Sequence, residues 1–396
     1  MIARACAVAV LAHAFIAHTG SAQAELRGEE AAPPGPIVGV DEQGVTIGPT
    51  EPAAGGPATP VVIGWDRVRG ILGPRAAEFD AYRDQSDMAW RARTRLERGD
   101  APAAEPLLEK LFQTHAGKRG PTAALVAEGL LRCRLGRGAH VAAIEAWLAT
   151  LAAAGAPGAP AFHPDWASEA GLAPVIDPAT GLVPAIPPIW VGPGASQVLG
   201  TSRWPGSSEA APATKPMMLA ALYAVAANFE AGQDVSLPQI DSTDAGVQLV
   251  RLVVQSRVGD AAQRHAARTT LQQRLPKPGA GPESVSPAPP WVEAWCRAAV
   301  GRSLIREPEL EQKQLGIVEL LLVQVRCRQG HPYLGGVALA EASAALAETG
   351  DAAGAASLRA ELLSQYPEHP VLEWAPMRAR PVTDPSAGQP GGPTPK

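Results

Sequence analysis

A chain of 396 residues, 46% hydrophobic and 18% charged, is long enough to bury a sizeable core in one to three domains and too apolar to be wholly disordered. Its formal net charge of -5, from 34 basic and 39 acidic residues, excludes a dedicated nucleic-acid binder, whose phosphate contacts need a clustered basic surface. With 40 glycines and 40 prolines, it cannot be a single uninterrupted helical rod.

Residues 1–24 read as a secretory signal peptide. Arg4 supplies the positive start, Ala5 to Ala17 an apolar stretch, and Ala22-Gln23-Ala24 a small-x-small cleavage site, so the mature chain is expected to begin at Glu25. His13 and His18 interrupt the apolar run and argue against an uncleaved anchor. Cys6 lies inside that run and not at the cleavage site, which argues against a lipoprotein. No later segment reaches the roughly 18 apolar residues that span a bilayer. Leu315 to Val325 comes nearest, but it contains Glu319 and Gln324 and reads as a buried helix. The mature chain is therefore expected to be periplasmic or secreted, without a transmembrane segment. Cys133, Cys296 and Cys327 remain after cleavage, enough for at most one internal disulfide. All three lie in helical patterns, where a small buried apolar role is the plainer meaning.

Residues 25–36 form a polar and then Pro/Gly-rich leader, expected to be flexible. A small β module is expected over 37–72. Ile37–Val40 and Val45–Ile47 flank a turn-rich connection, and after a Pro/Gly loop Val61–Trp65 completes a three-stranded meander. From Ala76 the apolar period lengthens to about 3.6, with Phe79, Tyr82, Ala89, Ala92 and Leu96 on one face of a helix. Gly99-Asp100 then separates it from a second helix carrying Ala104, Leu108 and Leu111. Glycine suits the left-handed residue that ends a helix and aspartate caps the next one, so Gly-Asp predicts a tight helical hairpin. The same pair recurs at Gly259-Asp260 and Gly350-Asp351, and Gly136 and Gly138 make a further break. Helical hairpins are thus expected over 76–155, 217–275 and 291–373, with a Pro/Ser/Gly linker at 276–290 and a disordered tail at 374–396.

Within the last hairpin, Gly350 is followed by Ala355, then Leu358 and Leu362, and then Pro367. In that pattern the chain resembles tetratricopeptide-type helical repeat proteins, which place a turn glycine, a small packing alanine and a terminating proline at these spacings. Gly259 to Pro276 repeats the outer spacing with Arg264 in place of the alanine, and Gly99 is followed by Ala104 without the proline. Cys133-Arg134-Leu135-Gly136 and Cys327-Arg328-Gln329-Gly330 add an internal similarity. The resemblance covers about half of the mature chain, and its hairpins are not contiguous at the family's period. It implies a mainly α fold of stacked hairpins, an α-solenoid like that of the tetratricopeptide proteins, here preceded by the small β-meander.

Between the hairpins, residues 156–216 are proline-rich yet carry Trp166, Trp190 and Trp204 together with Val183, Ile186 and Ile189. Pure linkers seldom hold such apolar weight, so this is expected to be an ordered irregular segment that packs across the helices. Its three tryptophans are the candidate partner-binding residues: exposed, they would line a groove for a peptide or glycan; buried, they would staple the segment down. Trp65, Trp90, Trp147, Trp291 and Trp295 lie in regular elements and are expected in the core.

Other constellations have plainer meanings. Asp80, Asp84 and Asp87 at helical spacing read as a solvated face near a helix start, with Arg91 placed to pair with Asp87. His163-Pro164-Asp165-Trp166 reads as a turn. His140, His265 and His331 sit at helix starts or surfaces, where capping or exposure is expected. No serine nucleophile motif, phosphate loop or zinc spacing is present, and no catalytic, metal or cofactor-binding residue is assigned. The function expected is a non-catalytic, exported scaffold that holds a protein or peptide in the cell envelope. The alternative is an envelope hydrolase or glycan-binding protein with its site in residues 163–204.

Overall fold

The computed structural model describes residues 22–28, 31–49, 60–154, 165–200, 214–276 and 289–378. It divides into two compact units, residues 1–91 and 92–396. No helix among the described residues is long and apolar enough to cross a membrane. Residues 1–21 of the signal peptide expected over 1–24, and Trp204, lie outside the described residues.

In the first unit, β2 (Ile37–Asp41), β3 (Gly44–Ile47) and β4 (Val61–Ile63) form the antiparallel meander, in that spatial order. The turn between β2 and β3 is shorter than the sequence pattern indicates: Asp41 pairs directly with Gly44, and Asp41 Oδ1 accepts the Gln43 N–H at 2.8 Å. A second, two-stranded sheet joins β1 (Gln23–Leu26) to β5 (Val68–Leu72). Both of these strands were unforeseen, and β1 overlaps the expected cleavage site and the start of the expected flexible leader. Trp65 organises the unit. It is fully buried, its indole N–H donates to the Asp41 carbonyl, and its ring stacks on Tyr82 at 4.8 Å.

The helix expected from Ala76 is two helices, α1 (Ala76–Asp80) and α2 (Arg83–Glu97). The break at Ala81-Tyr82 takes Asp80 off the helix that carries Asp84 and Asp87. Asp80 pairs with Arg83, and Asp87 pairs with Arg27 rather than with Arg91 as the spacing suggests. Trp90 is not core: it is 40% exposed, with the Arg27 guanidinium 4.8 Å from its ring centre.

The second unit is helical. Its elements are α3 (Ala101–His115), α4 (Pro121–Gly136), α5 (His140–Ala153), α6 (Asp165–Glu169), α7 (Gly194–Gly200), α8 (Lys215–Glu230), α9 (Ala245–Val258), α10 (Ala261–Gln272), α11 (Pro290–Leu304), α12 (Leu310–Cys327), α13 (Pro332–Glu348), α14 (Ala352–Gln365) and α15 (Ala375–Arg378), with a 3-10 turn at Pro370–Glu373. Consecutive helices pack on each other from α3 to α5 and from α8 to α14, which is consistent with stacked hairpins. The Gly-Asp turns work as caps. Asp100, Asp260 and Asp351 each accept the backbone N–H three residues on, and Gln263 reciprocates to Asp260 in a full capping box. Gly99 and Gly350 take the left-handed conformation, with φ of 75° and 92°. Gly259 does not: its φ is -61°.

Two expectations fail at the C-terminal end. Residues 374–378 belong to the packed structure, and Met377 is buried in a cluster with Leu339, Ala340, Leu362 and Val371. α12 is buried on one face only. Gly316, Ile317, Leu320, Val323 and Gln324 face inward, while Leu315, Val318 and Val325 are exposed. Its hydrophobicity is spread over two opposite faces, and only one of them meets α11 and α13.

A buried ion network joins four helices. Arg302 of α11 is 3% exposed and bonds both carboxylate oxygens of Glu341 on α13, at 2.9 and 2.7 Å. It also reaches Glu230 of α8 at 3.1 Å, and Glu230 in turn pairs with Arg257 of α9 at 2.8 Å. Burial opposes ionisation at both centres. The carboxylates nevertheless hold the Arg302 pKa above its usual value, and Arg302 with Arg257 holds Glu230 below the usual carboxylate range. Arg302→Met is expected to lower unfolding free energy by about 3–5 kcal/mol, because it takes the close cation from buried Glu341 and leaves Arg257 as the partner of Glu230. Chemical denaturation of Arg302→Met and of the Arg302→Met, Glu341→Leu pair tests this; the pair should recover part of the loss.

Candidate functional site

The proline-rich segment that follows α6 runs through the helical unit as an irregular chain with turns, closed by Gly181 N–H on Asp177 O and Ile186 N–H on Val183 O. Ile176, Leu182, Val183, Ile186, Ile189 and Trp190 are all buried. Its turns leave other carbonyls unmet, so the helices supply donors. Trp147 of α5 donates to Gly181 O at 2.9 Å, and Trp295 of α11 donates to Pro184 O at 3.0 Å. The phenols of Tyr223 on α8 and Tyr333 on α13 donate to Ile186 O and Ile189 O at 2.5 and 3.0 Å. Arg302 donates to Trp190 O at 2.7 Å. Burial pushes the pKa values of both phenols well above their usual range, so both remain protonated donors.

Where this segment turns into α7 it borders a cavity of about 770 Å³. Val141 of α5, Trp190, Val198 of α7, Tyr333, Val371 and Trp374 give it mostly apolar walls. The size falls within the range of sites that hold small ligands or the side chains of a bound peptide. Trp190 is 1% exposed and packs edge-on against Tyr333 at 6.1 Å, yet its Nε1 has no hydrogen-bond partner among the described residues. Nδ1 of His140, another wall residue, is also buried without one. A buried donor left unmet costs about 1–3 kcal/mol. Glu373 and Arg378 pair with each other and also line the cavity.

Behind the wall, Tyr333 stacks on His369 at 5.2 Å and packs against His140 at 4.7 Å. His369 Nε2 lies 2.9 Å from Tyr333 O and its Nδ1 accepts the Val371 N–H at 3.0 Å, which fixes the neutral Nε2–H tautomer. Room for that imidazole comes from Gly336, where an added Cβ would lie 2.5 Å from the ring. Burial, with a smaller push from His140, lowers the His369 pKa to about 4 against the bond to Tyr333 O. Burial also lowers His140 and His331 from their usual values. These two occupy helix starts as expected, but they are half-buried and His331 makes no side-chain cap; His265 is exposed.

Trp190 is therefore a wall residue of the cavity. Trp166 is buried on α6 with the Arg132 guanidinium 5.8 Å from its ring centre, and it does not line the cavity. His163, Pro164 and Trp204 fall outside the described residues. No group of three or more His, Cys, Asp or Glu that could hold a metal ion occurs among the described residues. Cys133, Cys296 and Cys327 are free thiols, and burial pushes the first two up to about 12. Sequence reasoning missed Tyr333, His369 and Trp374. The one signal for them is the aromatic and imidazole content just before and after the last hairpin, His331-Pro332-Tyr333 and His369 to Trp374. Comparison with protein-family models, curated proteins and solved structures finds no match to this chain.

His369 is neutral when folded down to about pH 4, whereas the unfolded chain protonates it near the ordinary 6.5. The unfolded state thus binds more protons across that window, and the stability contributed by the neutral ring is lost as pH falls from 6.5 to about 4. Between those limits the wild type is expected to lose more stability than His369→Gln, by up to about 3 kcal/mol in denaturation series. An NMR titration should place the His369 midpoint near 4.

Proposed function

We propose that this protein is an exported, non-catalytic helical-repeat scaffold of the cell envelope, related in architecture to the tetratricopeptide α-solenoids, that binds a protein or peptide. The cavity beside Trp190 is its binding site. The observation that carries this reading is an apolar cavity of peptide-anchor size lined by Trp190, whose buried indole N–H has no partner among the described residues. A partner would place an apolar side chain in the cavity and a backbone carbonyl on Trp190 Nε1. The helical unit already holds one irregular segment of its own this way, with indole, phenol and guanidinium donors on its carbonyls. The solenoid reading is supported by the last hairpin, where Ala355 and Leu362 are buried and Leu358 packs against the same cluster. Export is supported by Arg4, the apolar run after it and Ala22-Gln23-Ala24.

Selection of displayed peptides on the purified protein tests the reading. Enriched peptides should share an apolar anchor. Val198→Trp, which fills the cavity from a position 42% exposed in the free protein, should weaken their binding by at least about tenfold, equivalent to one buried anchor. Trp190→Phe, which deletes the donor and keeps a ring, should weaken it by about fivefold to twentyfold, the worth of one buried hydrogen bond. Binding indifferent to both substitutions overturns the cavity assignment, and hydrolysis of an envelope polymer by the purified protein overturns the non-catalytic reading. Fractionation of the native host should place the chain outside the cytoplasm.

A further inference from the structure

The outward face of α12 carries a pattern that the rest of the unit does not explain. Leu315, Val318, Leu322 and Val325 are spaced by three, four and three residues, the a/d spacing of a helix seam that packs against another helix. Leu315, Val318 and Val325 are 48%, 51% and 76% exposed, and Leu322 is partly buried. The opposite face of the same helix is fully engaged through Gly316, Ile317, Leu320, Val323 and Gln324. Four aligned aliphatic side chains on one exposed helix are a partner surface rather than scattered surface residues.

Two features identify the partner. The stripe is symmetric about Leu320: turned end for end, Leu315 falls opposite Val325 and Val318 opposite Leu322. The charges at its two ends are opposite. Glu309 and Glu311 are exposed at the N-terminal end, and Arg326 and Arg328 are exposed at the C-terminal end. A second α12 laid antiparallel sets the acids of each copy beside the arginines of the other and opposes the two helix dipoles. A parallel copy would set like charges together. We propose that the chain forms a two-fold symmetric homodimer through antiparallel pairing of α12 along this stripe. Such an isologous contact closes on itself and leaves no unmatched surface. It uses a different face from the cavity beside Trp190, so either assignment can fail without the other.

Sedimentation equilibrium of the purified full chain, up to about 100 μM, should report a reversible monomer–dimer equilibrium. Val318→Asp with Leu322→Asp should raise the dissociation constant by at least about 100-fold, with circular dichroism unchanged because these positions face outward. Glu311→Arg should weaken the dimer and Arg328→Glu added to it should restore it, since the double reversal keeps opposite charges together. Oxidation of mixed Val318→Cys and Leu322→Cys chains should cross-link one to the other in preference to 318 to 318. A chain that stays monomeric at the highest concentration overturns the proposal, as does a dimer insensitive to the aspartate pair. Preferential 318-to-318 cross-linking, or a charge reversal that fails to restore association, overturns the antiparallel arrangement.

Discussion

The helical unit depends on Arg302. Its guanidinium is buried where α8, α9, α11 and α13 and the irregular segment meet, and it contacts Glu341, Glu230 and the Trp190 carbonyl at once. A buried arginine alone would be prohibitively costly. Here its donors are divided between two carboxylates and a carbonyl: Nε bonds Glu341, and Nη2 bonds Glu230 and the Trp190 carbonyl. Buried ion pairs add little net stability compared with apolar packing, but they tolerate few alternative arrangements. Helices with plain apolar faces could slide by a turn against one another. Helices that must deliver Glu230, Arg257, Arg302 and Glu341 to one point cannot do so without stranding a charge.

The same arginine links the helices to the segment after α6. Through Trp190 O it anchors the last residue of a buried irregular run, of which earlier carbonyls are met by Trp147, Trp295, Tyr223 and Tyr333. Each donor comes from a different helix or a different point along one, so the segment and the helices define each other's positions. Trp190 carries both features: its carbonyl is tied to the core network, while its buried indole N–H has no partner among the described residues. The neutral His369 adds no charge behind Tyr333 through the physiological pH range.

Much of the helical architecture was legible in local pattern. Gly99-Asp100, Gly259-Asp260 and Gly350-Asp351 marked helix junctions because capping is decided within four or five residues. Val183, Ile186 and Ile189 marked the irregular segment as packed, since three aliphatic residues among prolines have no reason to be in a solvated linker. Other readings stopped at the range of local rules. One face drawn through Phe79, Tyr82 and Ala89 hid the break after Asp80. Strand β1 was illegible because Gln23–Leu26 looks like the end of a leader until Val68–Leu72 is placed beside it. Trp90 looked like core by residue type, yet it lies under Arg27 at the surface.

By itself, then, the sequence determined the elements whose causes are local: amphipathic helices, their capped turns and the β-meander. It also held the α12 stripe in plain view, as an apolar run read for burial. Only the tertiary structure decided which of that helix's two apolar faces would be covered, because burial depends on what lies opposite and not on the residue's own character. Likewise, only the tertiary structure brought Trp190, His140, Tyr333 and Trp374 to one cavity. These residues are far apart in the chain, and the interactions that gather them, Arg302 with Glu341 and the donors on the irregular segment, link helices that no local periodicity connects.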